Sequence, residues 1–125
     1  MKDAISWFEI PVADFDRAKT FYETILAVEL PIMEWTEQNA KLAMLPADMK
    51  NGGVGGCLMS APGYAPAKEG VRIYLNGGDD LAGPLDRVEA AGGKVVLPKT
   101  AIGENGFMGF FQDTEGNVVG FHSRN

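Results

Sequence analysis

The chain contains an internal repeat, and this repeat constrains its fold more than any other feature. Residues 51–59 match residues 115–123, which lie 64 positions further along. Three pairs within the match are identical: Gly52/Gly116, Val54/Val118 and Gly56/Gly120. Because the spacing is about half the chain length, the sequence predicts a duplicated supersecondary unit.

The first half has the pattern of a βαβββ unit. Residues 4–12 are rich in strand-forming side chains, and Asp14 can cap a following helix. The apolar residues of that helix recur at helical spacing: Phe15, Ala18, Phe21, Tyr22, Ile25 and Leu26. Further strands are predicted near 28–35, 40–45 and 54–60, separated by polar breaks and an Asn-Gly-Gly turn.

The second half repeats this order after a break. Residues 61–70 are rich in proline and glycine and are predicted to be a linker. A strand over 71–75 follows, then a helix marked by Leu81, Leu85, Val88 and Ala91, then strands at 94–97, 107–112 and 118–122. The sequence therefore predicts an α+β fold in one domain spanning 1–125, with module one at about 1–60 and module two at about 71–125.

The composition excludes several classes of partner. The net charge is −6, and the 11 Lys and Arg residues form no run, so we expect no nucleic-acid partner. The single cysteine excludes an internal disulfide. The N-terminus lacks the pattern of a signal peptide, and no apolar run reaches the roughly 20 residues of a membrane span. We therefore expect a cytoplasmic protein without a membrane partner.

Three sequence stretches resemble a known family. They are residues 12–22 after the first strand, residues 89–95, and residues 113–117 before the last strand. In this order they resemble the vicinal oxygen chelate superfamily, which includes glyoxalase I, bleomycin-resistance proteins and extradiol dioxygenases. The resemblance implies two βαβββ modules that form an open, barrel-like concave sheet with helices outside, and it implies a homodimer.

The same resemblance indicates where a metal would be held. In metal-dependent members, the first and last strands of each module supply four ligands to the concave pocket. Carried over, these positions are Trp7, Gly56, Arg72 and Gly120, or Ile73 instead of Arg72 if the repeats align one residue differently. None of these side chains offers a lone pair to a divalent cation. We therefore expect no metal and no cofactor.

Side chains on the predicted concave face suggest a pocket for an organic molecule. Strand alternation from Trp7 gives this set: Trp7, Glu9, Gly56, Arg72, Tyr74, Gly120 and His122. Trp7 and Tyr74 would hold an anionic or carbonyl-bearing ligand, with Arg72 pairing a carboxylate. The two glycines would widen the pocket.

Each of these residues also has a structural interpretation. Glu9 is a candidate general base but could be a solvated carboxylate or an ion-pair partner of Arg72. His122 is a candidate proton shuttle but lies near the C-terminus, where a surface histidine needs no function. The aromatic side chains could simply fill the cavity, and the glycines could allow close strand packing. Cys57 is expected to be a buried, inert thiol that points into the helix-packed layer.

Two principal functions follow from these expectations. One is a metal-independent glyoxalase-like protein that binds a small organic molecule, with modest acid–base chemistry from Glu9 and His122. The alternative is a non-catalytic binding protein of the drug-sequestering kind. A third class, a protein-interaction module, would have a filled pocket. The fold alone cannot decide between them, because one fold hosts many chemistries.

Overall fold

A computed structural model describes residues 3–125 and shows the same element order in each half. Module one contains β1 (Trp7–Pro11), α1 (Phe15–Leu26), β2 (Ile32–Trp35), β3 (Ala40–Met44) and β4 (Gly55–Ser60). Module two contains β5 (Tyr74–Asn76), α2 (Ala82–Asp86), β6 (Lys94–Ala101), β7 (Phe107–Gln112) and β8 (Val118–Ser123). Both βαβββ units predicted from the repeat are confirmed.

Each module forms its own four-stranded mixed sheet. Sheet one has the order β1-β4-β3-β2 and sheet two has the order β5-β8-β7-β6. In each sheet the first strand pairs in parallel with the last, and the other pairs are antiparallel. The α+β fold class is therefore confirmed. The sheets do not close into a barrel, and no ladder joins them among residues 3–125.

Helix α1 follows its sequence pattern closely. The Asp14 side chain accepts a hydrogen bond from the Arg17 backbone N–H at 3.1 Å, which satisfies one of the free donors of the first turn. Five of the six stripe residues are buried: Phe15, Ala18, Phe21, Tyr22 and Ile25. The helix ends at Leu26 and is capped by Ala27, a non-glycine residue with a φ of 56°.

Module two departs from the predicted bounds at β5 and α2. The strand begins at Tyr74 rather than Val71, whose side chain is 96% exposed. Helix α2 has only five residues, and two of these are Gly83 and Pro84, which have the lowest helix propensities. Its apolar stripe nevertheless continues through the turns that follow, because Val88 is fully buried.

The helix-side faces of both sheets pack into one core. Residues of both modules contribute to it, including Ile10, Leu58, Leu75, Phe111 and Phe121, together with the apolar stripe of α1. Phe21 and Tyr22 of α1 lie 5.9 and 6.1 Å, between ring centroids, from Phe111 of β7. Each sheet therefore turns its other face, here called its open face, away from this shared core.

A carboxylate from module two joins the modules at the start of α1. Glu115 accepts hydrogen bonds from the backbone N–H groups of Ala13 and Asp14 at 3.0 and 2.7 Å. Its side chain is fully buried and also pairs with the Arg17 guanidinium at 2.8 Å. A negative charge at a helix N-terminus is favourable, because the unpaired N–H groups there carry partial positive charge. The contact holds the β7–β8 turn against α1.

Candidate functional site

The strand register corrects the predicted face of Gly56. In the β1–β4 pair, Phe8 lies beside Gly56, whereas Glu9 lies beside Cys57. Phe8 packs against the shared core, so Gly56 belongs to the helix-side face. The prediction that Gly56 shares a face with Trp7 is therefore wrong.

The register also corrects the equivalence of the two glycines. In sheet two, Tyr74 lies beside Gly120, and this pair corresponds to Glu9 and Cys57 in sheet one. The position equivalent to Gly120 is thus held by Cys57. The two final strands begin at different points of the repeat, since β4 begins at Gly55 and β8 begins at Val118, 63 positions further along. The sequence match pairs the two strands at a spacing of 64, so its alignment of β4 is wrong by one residue.

Both glycines accommodate an aromatic ring. A Cβ at Gly120 would lie 2.6 Å from Cδ2 of Tyr74, which is closer than side-chain packing allows. A Cβ at Gly56 would overlap the Phe8 ring. Each ring thus fills the space that its neighbouring glycine leaves, and neither glycine widens a pocket at that point.

Trp7 and Glu9 lie together on the open face of sheet one. The Glu9 carboxylate accepts hydrogen bonds from the Tyr64 hydroxyl at 2.8 Å and from the Trp7 indole N–H at 3.4 Å. The bond to Glu9 and its negative charge raise the pKa of Tyr64. Tyr64 comes from the segment between the modules and was not predicted to be near this site.

Cys57 lies beneath this group rather than in the helix-packed layer. It is fully buried and packs with Trp7 and Met59 in a small cluster on the open side of sheet one. Burial and the nearby charge of Glu9 raise the pKa of the thiol to about 11. The predicted burial is confirmed, but the predicted direction is wrong.

Arg72, Tyr74 and His122 lie around the open face of sheet two. The Arg72 guanidinium stacks over the Phe110 ring at 4.7 Å from its centroid, whereas Ile73 packs against the core. This resolves the register alternative in favour of Arg72. The His122 ring donates a hydrogen bond from Nε2 to the Asn105 carbonyl oxygen at 2.6 Å. This bond holds the imidazole against the backbone.

The cavities do not bring all the predicted site residues together. A cavity of about 510 Å³ is lined by Arg72 and Tyr74, and one of about 650 Å³ is lined by Tyr74 and His122. Glu9 lines a third cavity of about 230 Å³, and Trp7 lines none of the three. The predicted pocket between Trp7 and Tyr74 is therefore divided between two open faces.

The 510 Å³ cavity lies at the junction of the modules and is here called the junction cavity. One wall is formed by six consecutive residues, 71–76, which include β5. The other wall is apolar and comprises Ile5, Phe8, Leu26, Leu45, Pro46 and Val54. Sequence reasoning missed this cavity because it depends on how the two modules pack.

A buried polar cluster lies near the junction, and the sequence did not predict it. The Tyr22 hydroxyl donates to the Asp113 carboxylate at 2.7 Å, and both residues are buried. Burial and the Asp113 charge raise the pKa of Tyr22 well above its usual value. The Asn117 side chain donates to Asp113 at 3.0 Å and to the Pro11 carbonyl at 2.8 Å. The cluster fixes β1 relative to the β7–β8 turn.

The residues at the four carried-over positions do not fit a divalent metal. With the register corrected, they are Trp7, Cys57, Arg72 and Gly120. The indole and guanidinium groups donate rather than accept, glycine has no side chain, and Cys57 alone supplies one of the several ligands that a divalent ion needs. Within the part of the chain that the structure describes, no three His, Cys, Asp or Glu residues are placed to hold a metal ion.

A comparison against protein-family models identifies the family of the chain. The model of the Glyoxalase/Bleomycin resistance protein/Dioxygenase superfamily matches residues 4–121. The chain belongs to this superfamily. The resemblance inferred from the sequence motifs is thus confirmed.

Solved structures show the same fold in proteins of different activity. TnmS3, an antibiotic binding protein from Streptomyces sp., has a TM-score of 0.69 and 22% identity, covering 100% of this chain and 99% of its own. FosX, a fosfomycin resistance protein from Listeria monocytogenes, has a TM-score of 0.65 and 15% identity, covering 100% and 94%. A glyoxalase I mutant from Zea mays has a TM-score of 0.70 and 20% identity. The match covers 95% of this chain but only 46% of the maize enzyme.

No curated protein matches the chain significantly. At these identities, the solved structures establish the fold alone. No helix of residues 3–125 is both long and apolar enough to span a membrane.

Proposed function

We propose that the protein binds a small organic molecule in the junction cavity, without a metal ion and without turnover. The observation that carries this proposal is the cavity itself. Its volume of about 510 Å³ lies within the range of about 300–1,000 Å³ that is usual for ligand pockets. Its wall is predominantly apolar, with Tyr74 and Asn76 among the few residues that can orient a ligand.

The placement of the candidate acid–base residues favours binding over catalysis. A general base must lie within hydrogen-bond reach of the proton that it removes. Glu9 and His122 line different cavities, and each already has partners, Tyr64 for the carboxylate and the Asn105 carbonyl for the imidazole. The pair is thus poorly placed to act on one substrate, which supports the non-catalytic alternative.

A thermal-shift screen of small acids and aromatic compounds tests the proposal. At least one compound should raise the unfolding temperature of the wild-type protein, because a ligand that binds only the folded state stabilises it. Val54→Trp, which fills the cavity wall, should abolish the shift, whereas Trp7→Ala should retain it. A shift lost in Trp7→Ala and retained in Val54→Trp would move the site to the open face of sheet one.

We also propose that the protein is a homodimer in the cytoplasm. The edge strand β2 is exposed along its whole length, and Ile32, Met33 and Trp35 are each about half exposed. Large apolar side chains on an unpaired edge favour association with another chain. Sedimentation of the wild-type chain at micromolar concentration should give a dimer that Met33→Lys weakens, and a monomeric wild type would contradict this proposal.

A further inference from the structure

The junction cavity follows the edge of a strand, and this geometry indicates the chemical class of its ligand. All three residues of β5, Tyr74, Leu75 and Asn76, line it, although neighbouring side chains of a strand point to opposite faces. A cavity that contacts side chains on both faces of β5 meets this strand at its edge. Strand β5 is the end strand of sheet two, so its outer edge is not covered by another strand of that sheet.

The hydrogen bonds of β5 show which backbone groups point to this outer edge. The Ile73 carbonyl accepts from Gly120 N–H at 2.9 Å, and Gly77 N–H donates to the His122 carbonyl at 2.7 Å. Residues 73, 75 and 77 therefore direct their backbone groups to β8. Since successive residues of a strand alternate, the N–H and C=O groups of Tyr74 and Asn76 point outward.

The opposite wall supplies apolar contacts but few polar ones. Phe8 comes from β1, Leu26 from the end of α1, and Leu45 directly follows β3. All three pack in or against the shared core, so this wall is rigid. A suitable ligand therefore has amide groups along one side and apolar groups along the other.

We propose that the junction cavity binds a short, extended apolar peptide or peptide-like compound as an added strand on the outer edge of β5. Main-chain hydrogen bonds to Tyr74 and Asn76 hold its amide groups, and the apolar wall receives its side chains. This inference rests on the proposed function and specifies the chemical class of its ligand.

Calorimetric titration with a blocked valine–alanine–valine tripeptide tests the inference. Three further peptides each carry one ester oxygen in place of one amide N–H, at the first, second or third residue. An added strand directs alternate amides to its partner, so the first and third esters should differ from the second. The first and third esters form one set, and the second ester forms the other. In the set whose amides point to β5, each ester removes a hydrogen bond, and affinity should fall about three- to tenfold. In the other set no hydrogen bond is lost, and affinity should fall less than twofold.

Two tryptophan variants locate the peptide. Val54→Trp should abolish binding because Val54 lines the cavity, whereas Val28→Trp should retain it because Val28 does not. If Val54→Trp does not fold, an NMR titration that follows the amide chemical shifts of the wild-type protein locates the peptide instead. The largest shifts on adding the peptide should then fall within residues 71–76.

The outcomes separate this inference from the proposed function. If apolar compounds without amides bind the cavity while the peptides do not, or if the three esters bind equally, the added-strand inference is wrong and the proposed function stands. If neither peptides nor other small molecules bind, both are overturned.

Discussion

Glu115 is expected to stabilise the joining of the two modules through its charge. Burial alone would raise its pKa, but hydrogen bonds from Arg17, Asp14 N–H, Thr114 and Ala13 N–H outweigh burial and lower the pKa from 4.5 to about 2. The charged form is thus strongly favoured in the folded protein. The substitution Glu115→Gln removes this charge while keeping a similar shape.

The shift sets the size of the expected effect. A difference of roughly 2.5 pKa units corresponds to about 3–4 kcal/mol, at about 1.4 kcal/mol for each unit. Arg17 is half exposed, so solvent screens its pairing with Glu115 and lowers the expected contribution to about 2 kcal/mol. We therefore expect Glu115→Gln to reduce the free energy of unfolding by about 2 kcal/mol at pH 7.

The pH dependence has a defined direction. Because the folded pKa lies below the unfolded value, Glu115 contributes its full stability above about pH 4.5 and loses it as the pH falls towards 2. The difference between wild type and Glu115→Gln should therefore shrink across this window. Urea unfolding measured from pH 2 to pH 7 gives both quantities.

A matched variant controls for the loss of a carboxylate in general. Glu37 lies on the exposed turn between β2 and β3, so Glu37→Gln should change stability by less than about 0.5 kcal/mol. If Glu115→Gln destabilised the protein equally at pH 2.5 and pH 7, the effect would arise from packing, and the electrostatic reasoning would be refuted.

Three further predictions follow from the site. Gly120→Ala should destabilise the protein by about 1–3 kcal/mol in urea unfolding, since its Cβ would overlap the Tyr74 ring. Adding Tyr74→Ala to this variant should relieve most of that cost, and no relief would mean that the ring is not the obstacle. The Cys57 thiol, with its pKa near 11, should not react with a disulfide reagent at pH 8 until the protein is unfolded, and rapid reaction of the folded protein would contradict its burial. Elemental analysis of the purified protein should find no stoichiometric divalent metal, and one equivalent per chain would overturn the metal-free proposal.

The fold could be predicted from the sequence because the repeat and its helix signals are local. The Asp14 cap and the apolar stripe of α1 identify a helix without reference to the rest of the chain. Strand β7 has the bounds that the pattern predicts, 107–112. The order of elements in module two then follows from module one.

The site could not be predicted to the same degree, because strand faces depend on register. The first five residues of β4 are buried and none is charged, so alternation does not distinguish the two faces of this strand. The spacing of β4 and β8 in the structure is 63 residues rather than the 64 of the sequence match, which places Gly56 on the helix side and Cys57 beside Glu9. The signal that could have revealed this is the unequal length of the two turns before Val54 and Val118.

The packing of the modules depends on contacts that sequence periodicity does not encode. Glu115 meets the backbone of Ala13 and Asp14 across about one hundred residues. The junction cavity and the separation of Trp7 from Tyr74 both follow from this packing. The sequence predicted that Trp7, Glu9, Arg72, Tyr74 and His122 line one pocket, whereas the structure distributes them over two open faces.

A crystal structure of the protein with its most stabilising compound tests the central proposal most directly. The proposal predicts electron density for the compound between residues 71–76 and the wall formed by Phe8 and Leu45. Density on the open face of sheet one, against Trp7 and Glu9, with the junction cavity empty of the compound, would contradict it.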